Sequence, residues 1–189
     1  MRARHLLPMV LLTASLRPAP ARATVMLHRS ADELAAMADA VVVGTAQRDD
    51  RGAVAGSARW VSGRIVTDVA VTVHVPIAGP WAAGTSVTLR LPGGVVGDVG
   101  QTVSGAPVFR PGESYVLFLQ RLPDGAWTVL DMSAGMFPLR ADPVRGLLVH
   151  RSRAEGITFV EPSQGAVVEV AAEGEPLTPF VTRLRRAVR

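Results

Sequence analysis

Between Ile65 and Val75 the apolar residues Ile65, Val69, Val71, Val73 and Val75 take odd positions, while Asp68, Ala70, Thr72 and His74 take even ones. A period of two sends alternate side chains to opposite faces of a strand. A helix cannot sort this segment into one dry and one wet side, so the chain must hold a sheet with a buried face. Val87, Leu89 and Leu91 repeat the pattern against Ser86, Thr88 and Arg90. Ser114 to Leu119 is apolar on both faces, as a strand in the middle of a sheet must be.

Shorter strands are expected around these. Ala40–Ala46 is a β-branched apolar run, and Trp127–Leu130 follows the turn Pro123-Asp124-Gly125. Met136–Leu139 and Gly146–His150 complete the set. Residues 48–58 and 160–176 read as loops, the first charged and the second rich in Pro, Gly, Glu and Ala. A helix opens the domain, with Ser30 and Glu33 as a capping box ahead of Leu34, Ala35 and Met37. A second helix closes it, with Thr178 as expected N-cap, Pro179 at its first position, and Phe180, Leu184 and Val188 on one face. The fold class expected is mainly β: a small antiparallel OB-like barrel or sandwich with an N-terminal and a C-terminal helix. One core is expected to hold Ile65, Val69, Val71, Val73, Val87, Leu89, Val116 and Phe118.

Residues 1–23 have the three parts of a secretory signal peptide. Arg2 and Arg4 precede a short apolar stretch from Leu6 to Leu16, and Ala21-Arg22-Ala23 resembles an A-x-A cleavage site. Ala19-Pro20-Ala21 is a second cut of the same type. Residues 24–189 then form a single β-rich domain, secreted or periplasmic, with no membrane-spanning segment in the mature chain. Removing the leader's four arginines from the 20 basic residues leaves 16, against 16 acidic ones. A mature chain of balanced charge has no net pull toward phosphates, so nucleic acid is not an expected partner. The chain has no cysteine, which excludes disulfides, thiolate metal sites and a cysteine nucleophile.

The segment from Pro92 to Gln120 carries the candidate site. A glycine-rich loop of this length, without regular structure of its own, is uncommon in a compact domain unless it is functional or disordered. Gly93, Gly94, Val95, Val96, Gly97, Gly100, Ser104, Gly105 and Pro107, with Phe109 and Arg110 beside them, are the expected binding residues. The glycines permit tight turns, and Val95, Val96, Val99 and Val103 are the expected apolar anchors. The loop lacks the Gly-Lys-Ser/Thr ending of a phosphate loop, and its glycines do not fit the dinucleotide fingerprint.

Ser104-Gly105-Ala106-Pro107-Val108 looks like the end of the nucleophile motif of chymotrypsin-like serine proteases. Val103 stands where that motif has aspartate and Thr102 where it has glycine, and no matching histidine motif exists. The alternative reading is a tight turn steering the chain into the next strand. His28, His74 and His150 show no metal-ligand spacing and the aspartates match no calcium loop, so no metal and no cofactor are expected. Trp60, Trp81 and Trp127 read as core or rim packing. Arg183, Arg185, Arg186 and Arg189 read as a solvated helix face suited to the C-terminal dipole.

Ala38 to Thr45 (ADAVVVGT), the Ile65–Val75 strand, Pro92-Gly93-Gly94 and Gly112 to Leu119 (GESYVLFL) together resemble a group of exported, functionally uncharacterised bacterial proteins. More distantly, the pattern is similar to the netrin-like OB-fold domain of tissue inhibitors of metalloproteinases, over roughly residues 38–120. The resemblance implies a helix-capped, five-stranded barrel that presents loops to a partner. Those inhibitors bind zinc through a disulfide-locked N-terminal cysteine, so the resemblance does not imply inhibition by this chain. The expected function is that of an exported, non-enzymatic binding domain whose partner is an extracytoplasmic protein. The alternatives are a serine hydrolase using Ser104 and an envelope structural protein.

Overall fold

The alternating segment becomes the longest strand of the protein, and the remaining elements assemble around it. The computed structural model describes residues 24–152, 157–161, 163, 165–169 and 173–188, so the expected leader and Arg189 lie outside the described residues. In chain order the elements begin with β1 (Thr24–Leu27), α1 (Ala31–Met37), β2 (Ala40–Ala46), β3 (Gly56–Val61), β4 (Arg64–Ala78) and β5 (Ser86–Pro92). They continue with β6 (Gly94–Val96), β7 (Val99–Gln101), β8 (Ser114–Arg121), β9 (Trp127–Val129), β10 (Met136–Asp142) and β11 (Gly146–Val149). β12 (Ile157–Val160), β13 (Val167–Val168), β14 (Glu175–Pro176) and α2 (Leu177–Ala187) complete them.

Strands β8, β2, β4, β5 and β9 pair in that order, and β9 returns to β8, closing a five-stranded OB-like barrel. All these pairings are antiparallel except β5 with β9, which run parallel and share the single register pair Leu89–Trp127. β10, β11 and β14 extend the sheet outward from β8, and β3 forms a hairpin with β4. Closure pairs β9 with β8 and leaves β3 and β14 as the outer edges of the sheet.

The hydrophobic core is split in two, which corrects the expectation of one. The barrel interior holds Val42, Val69, Val71, Val73, Val87, Leu89, Tyr115, Leu117 and Leu119. Val116 and Phe118 point the other way and pack with Val41, Val43, Phe137, Leu34, Phe180 and Leu184, between the outer face of the sheet and both helices. The reason is the period of the strand: β8 is buried on both sides, so adjacent residues necessarily enter different layers. Val75 also leaves the expected face. Val43 pairs with Val75 but Gly44 with Val73, so His74 is an extra residue that reverses the alternation and sends Val75 to the helix side.

The first helix forms as expected: the Ser30 hydroxyl accepts from the Glu33 N–H at 3.2 Å, and the Glu33 carboxylate accepts from the Ser30 N–H at 2.7 Å. The second helix starts earlier than expected. Pro176, not Thr178, is its N-cap, and Pro179 lies inside the first turn, where a missing N–H still breaks no helical bond. Phe180 and Leu184 are buried as the spacing requires. Arg183 is not simply solvated: it holds Asp32 of α1 at 2.7 Å and Glu175 at 2.6 Å. Residues 48–58 are a loop only in part, because β3 begins at Gly56, and β12 to β14 lie in or beside the stretch expected to be irregular.

Candidate functional site at the glycine-rich hairpin

The glycine-rich segment is a β-hairpin. β6 and β7 pair Gly94 with Gln101, Val95 with Gly100 and Val96 with Val99. Their two-residue turn is Gly97-Asp98, where Gly97 has φ 58°, the left-handed geometry that such turns require. The hairpin is fastened by its polar and glycine residues. The Gly93 N–H donates to Ile65 O at 2.9 Å, and the Thr67 hydroxyl donates to Gly93 O at 2.7 Å. The Ile65 N–H donates to the Gln101 side-chain oxygen at 2.9 Å. A Cβ on Gly93 would lie 2.7 Å from Gln101 O, so only glycine allows this approach.

Of the four expected anchors, Val96 and Val103 are half-buried, but Val95 and Val99 do not anchor the hairpin. Val95 is 67% and Val99 50% exposed, although the register, Val95 opposite Gly100 and Val96 opposite Val99, places them on opposite faces of the hairpin. Beyond β7, the Ala106 N–H donates to Val103 O at 3.1 Å and closes a turn with Gly105 at φ 81°. Ser104 lies exposed in this turn. His74 of β4 is hydrogen-bonded not to Ser104 but to the Thr45 hydroxyl of β2, at 2.7 Å. Ser104-Gly105-Ala106 is thus part of a turn, and Pro107 beyond it is buried.

Phe109 turns inward and joins the barrel interior, edge-on to Tyr115 with ring centroids 5.1 Å apart. The Tyr115 hydroxyl accepts from the Arg110 N–H at 2.8 Å and donates to Glu113 at 3.1 Å. Glu113 also holds Arg140 at 3.1 Å. Here the Gly-Glu-Ser-Tyr motif has a physical purpose: it latches the strap of residues 102–113 across the end of the barrel. Arg110 itself reaches into solvent.

Burial pushes the Tyr115 hydroxyl up to about 12 from the ordinary 10.0, against the Arg110 N–H bond, which favours the ionised form. Tyr115 is the chain's sole tyrosine, so its phenolate absorbance can be followed alone. A raised folded-state value means that its contribution is complete below pH 10 and is lost as pH rises through about 12. Phenolate absorbance should therefore appear near 12, and a titration centred on 10 would show the latch to be open. Tyr115→Phe, which deprives the Arg110 N–H of its acceptor, should cost about 1–3 kcal/mol in urea unfolding.

Between the hairpin and the strap lies a groove of about 450 Å³. Of the expected binding residues, Gly93, Gly94, Val95, Gly100, Pro107 and Phe109 line it; Val96, Gly97, Ser104, Gly105 and Arg110 do not. Val54, Thr67, Val69, Leu91, Val103 and Val108 line it as well. Val54, Thr67 and Leu91 come from distant segments and carry no local signal of a site. No lining residue is acidic, basic or thiol-bearing. The groove offers van der Waals surface and a few hydrogen bonds, which suits binding rather than proton or acyl transfer. Among the described residues, no three His, Asp or Glu side chains converge to hold a metal ion. No helix among them is long and apolar enough to cross a membrane. Comparison of the chain with family models, curated proteins and solved structures returns no match.

Proposed function

We propose that the chain is an exported, non-enzymatic binding domain that grips an extracytoplasmic protein at the β6–β7 hairpin. The observation that carries this reading is the apolar groove, rimmed by the 67% exposed Val95 on the hairpin and the 70% exposed Val108 on the strap. Solvent-facing valines on both banks of one groove cost solubility and contribute nothing to the barrel interior, as a contact surface would. The partner's chemistry follows: an extended segment with small apolar side chains, since the lining lacks charges that would pair with an ionic ligand. The leader-like residues 1–23 are the ground for placing this partner outside the cytoplasm. Metalloproteinase inhibition is no part of the proposal, because the chain has no cysteine.

The test is capture by the immobilised protein from the native host's secreted or periplasmic fraction, with retained proteins identified by mass spectrometry. Val95→Ser and Val108→Ser together should weaken retention of the captured protein by about tenfold or more. Because both are exposed, each should change stability by no more than about 0.5 kcal/mol. Replacing residues 95–100 with a Gly-Ser linker should abolish capture while the barrel still unfolds cooperatively. Capture that survives both changes would overturn the assignment of this surface.

A further inference from the structure

Helices α1 and α2 cover the outside of β2, β8 and β10, whereas Ser86 and Thr88 on the outside of β5 are exposed. Beside them the barrel closes through a single β5–β9 pair. There Trp81, from the β4–β5 connection, meets Trp127 of β9 edge-to-face, with centroids 4.6 Å apart and planes at 62°. Both indoles pack against the barrel interior, yet neither is fully covered. They border a cleft of about 360 Å³ that also takes in Asp68, Ser86, Thr88 and Arg90.

We propose that this cleft is a binding subsite for one neutral pyranose ring of an oligosaccharide. Such a ring has an apolar C–H face and a rim of hydroxyls that both donate and accept. The two indoles supply a rigid apolar corner of matching character. Ser86 and Thr88 supply hydroxyls of the same dual capacity, Asp68 an acceptor and Arg90 donors.

The charged groups are neutralised before any ligand arrives. Asp68 pairs with Arg59 at 2.9 Å and with Arg90 at 3.5 Å, and Arg90 also pairs with Asp124. No surplus charge is left to favour an anionic ligand. These pairs also hold the polar rim in place, which lowers the ordering cost of binding. The volume lies at the small end of the range for ligand pockets, which fits a single ring and not a longer chain. The site is separate from the hairpin groove, and either can fail without the other.

The probes are chitotetraose, cellotetraose and maltotetraose, titrated by calorimetry and tryptophan emission, and then insoluble chitin, cellulose and starch in sedimentation assays. At least one tetrasaccharide or polymer should bind, with a Kd in the millimolar range or tighter for a soluble ligand. Binding to oligomers would mark recognition of a short chain; binding to a polymer alone would mark recognition of an extended surface, and both support the subsite. Thr88→Arg fills the cleft from an exposed position and should weaken binding by about tenfold or more with an unchanged Tm. Trp81→Leu should weaken binding as much, with some loss of Tm because the indole packs against the core, while Val95→Ser on the hairpin should leave saccharide affinity unaltered. The proposal is overturned if no probe binds at about 10 mM. It is also overturned if Thr88→Arg and Trp81→Leu bind as well as the parent, or if a thymidine oligonucleotide binds more tightly than every saccharide.

Discussion

Val71→Asp should destabilise the protein by at least about 4 kcal/mol and lower Tm by roughly 10 °C or more. Val71 is fully buried in the barrel bore, opposite Ala46 on one side and Val87 on the other. Its neighbours in that core are apolar, so a carboxylate there would lose its water and gain no cation. The adjacent Ala70 faces outward opposite Thr88, and Ala70→Asp should cost less than about 1 kcal/mol. Urea unfolding of the pair is the measurement. Equal midpoints for the two variants would place residue 71 on the wet face and undo the barrel register.

Phe118→Ala should cost about 3–5 kcal/mol, for a different reason and in a different place. Phe118 is fully buried on the helix side of β8, edge-on to Phe137 at 5.3 Å, and Phe137 in turn meets Phe180 of α2 at 5.9 Å. Truncation leaves a cavity beneath both helices without touching the bore. Hydrogen exchange should therefore quicken first in α1 and α2, with the barrel strands retaining most of their protection. A uniform loss of protection across helices and barrel would mean that the two layers behave as one core.

The fate of Phe118 also shows where sequence reasoning runs out. That Ser114 to Leu119 is buried on both faces could be read from its unbroken apolar character. Which face meets which layer could not, because both layers are apolar and differ only in tertiary position. β2, β4, β5 and β8 were legible because each is long and has at least one dry face. β3 was not: its Arg59 and Trp60 point to water from an edge strand, so no period of two survives. Val75 was misplaced because a one-residue bulge at His74 carries no signature of its own. The β6–β7 hairpin did leave a trace, since Gly97-Asp98 between valines is a two-residue turn signal. The exposure of Val95 and Val99 beside it cannot be read from residue type. The groove is half visible in the sequence: Gly93, Gly94, Val95, Gly100, Pro107 and Phe109 are legible there, while Val54, Thr67 and Leu91 reach it only through folding.

β1 runs parallel to β12, with Thr24 opposite Ile157 and Leu27 opposite Val160. The timing of assembly follows from this pairing. A chain delivered from its N-terminus presents β1 first, but the partner of β1 emerges only after every barrel strand has appeared. β2, β4, β5, β8 and β9 all end by Val129, so the barrel can close while β1 still has nothing to hold. Closing so long a loop adds only slowly growing entropy, yet contacts this remote in sequence form late. The first strand in the chain is thus fastened only after the barrel strands are complete, by a partner that precedes only β13, β14 and α2.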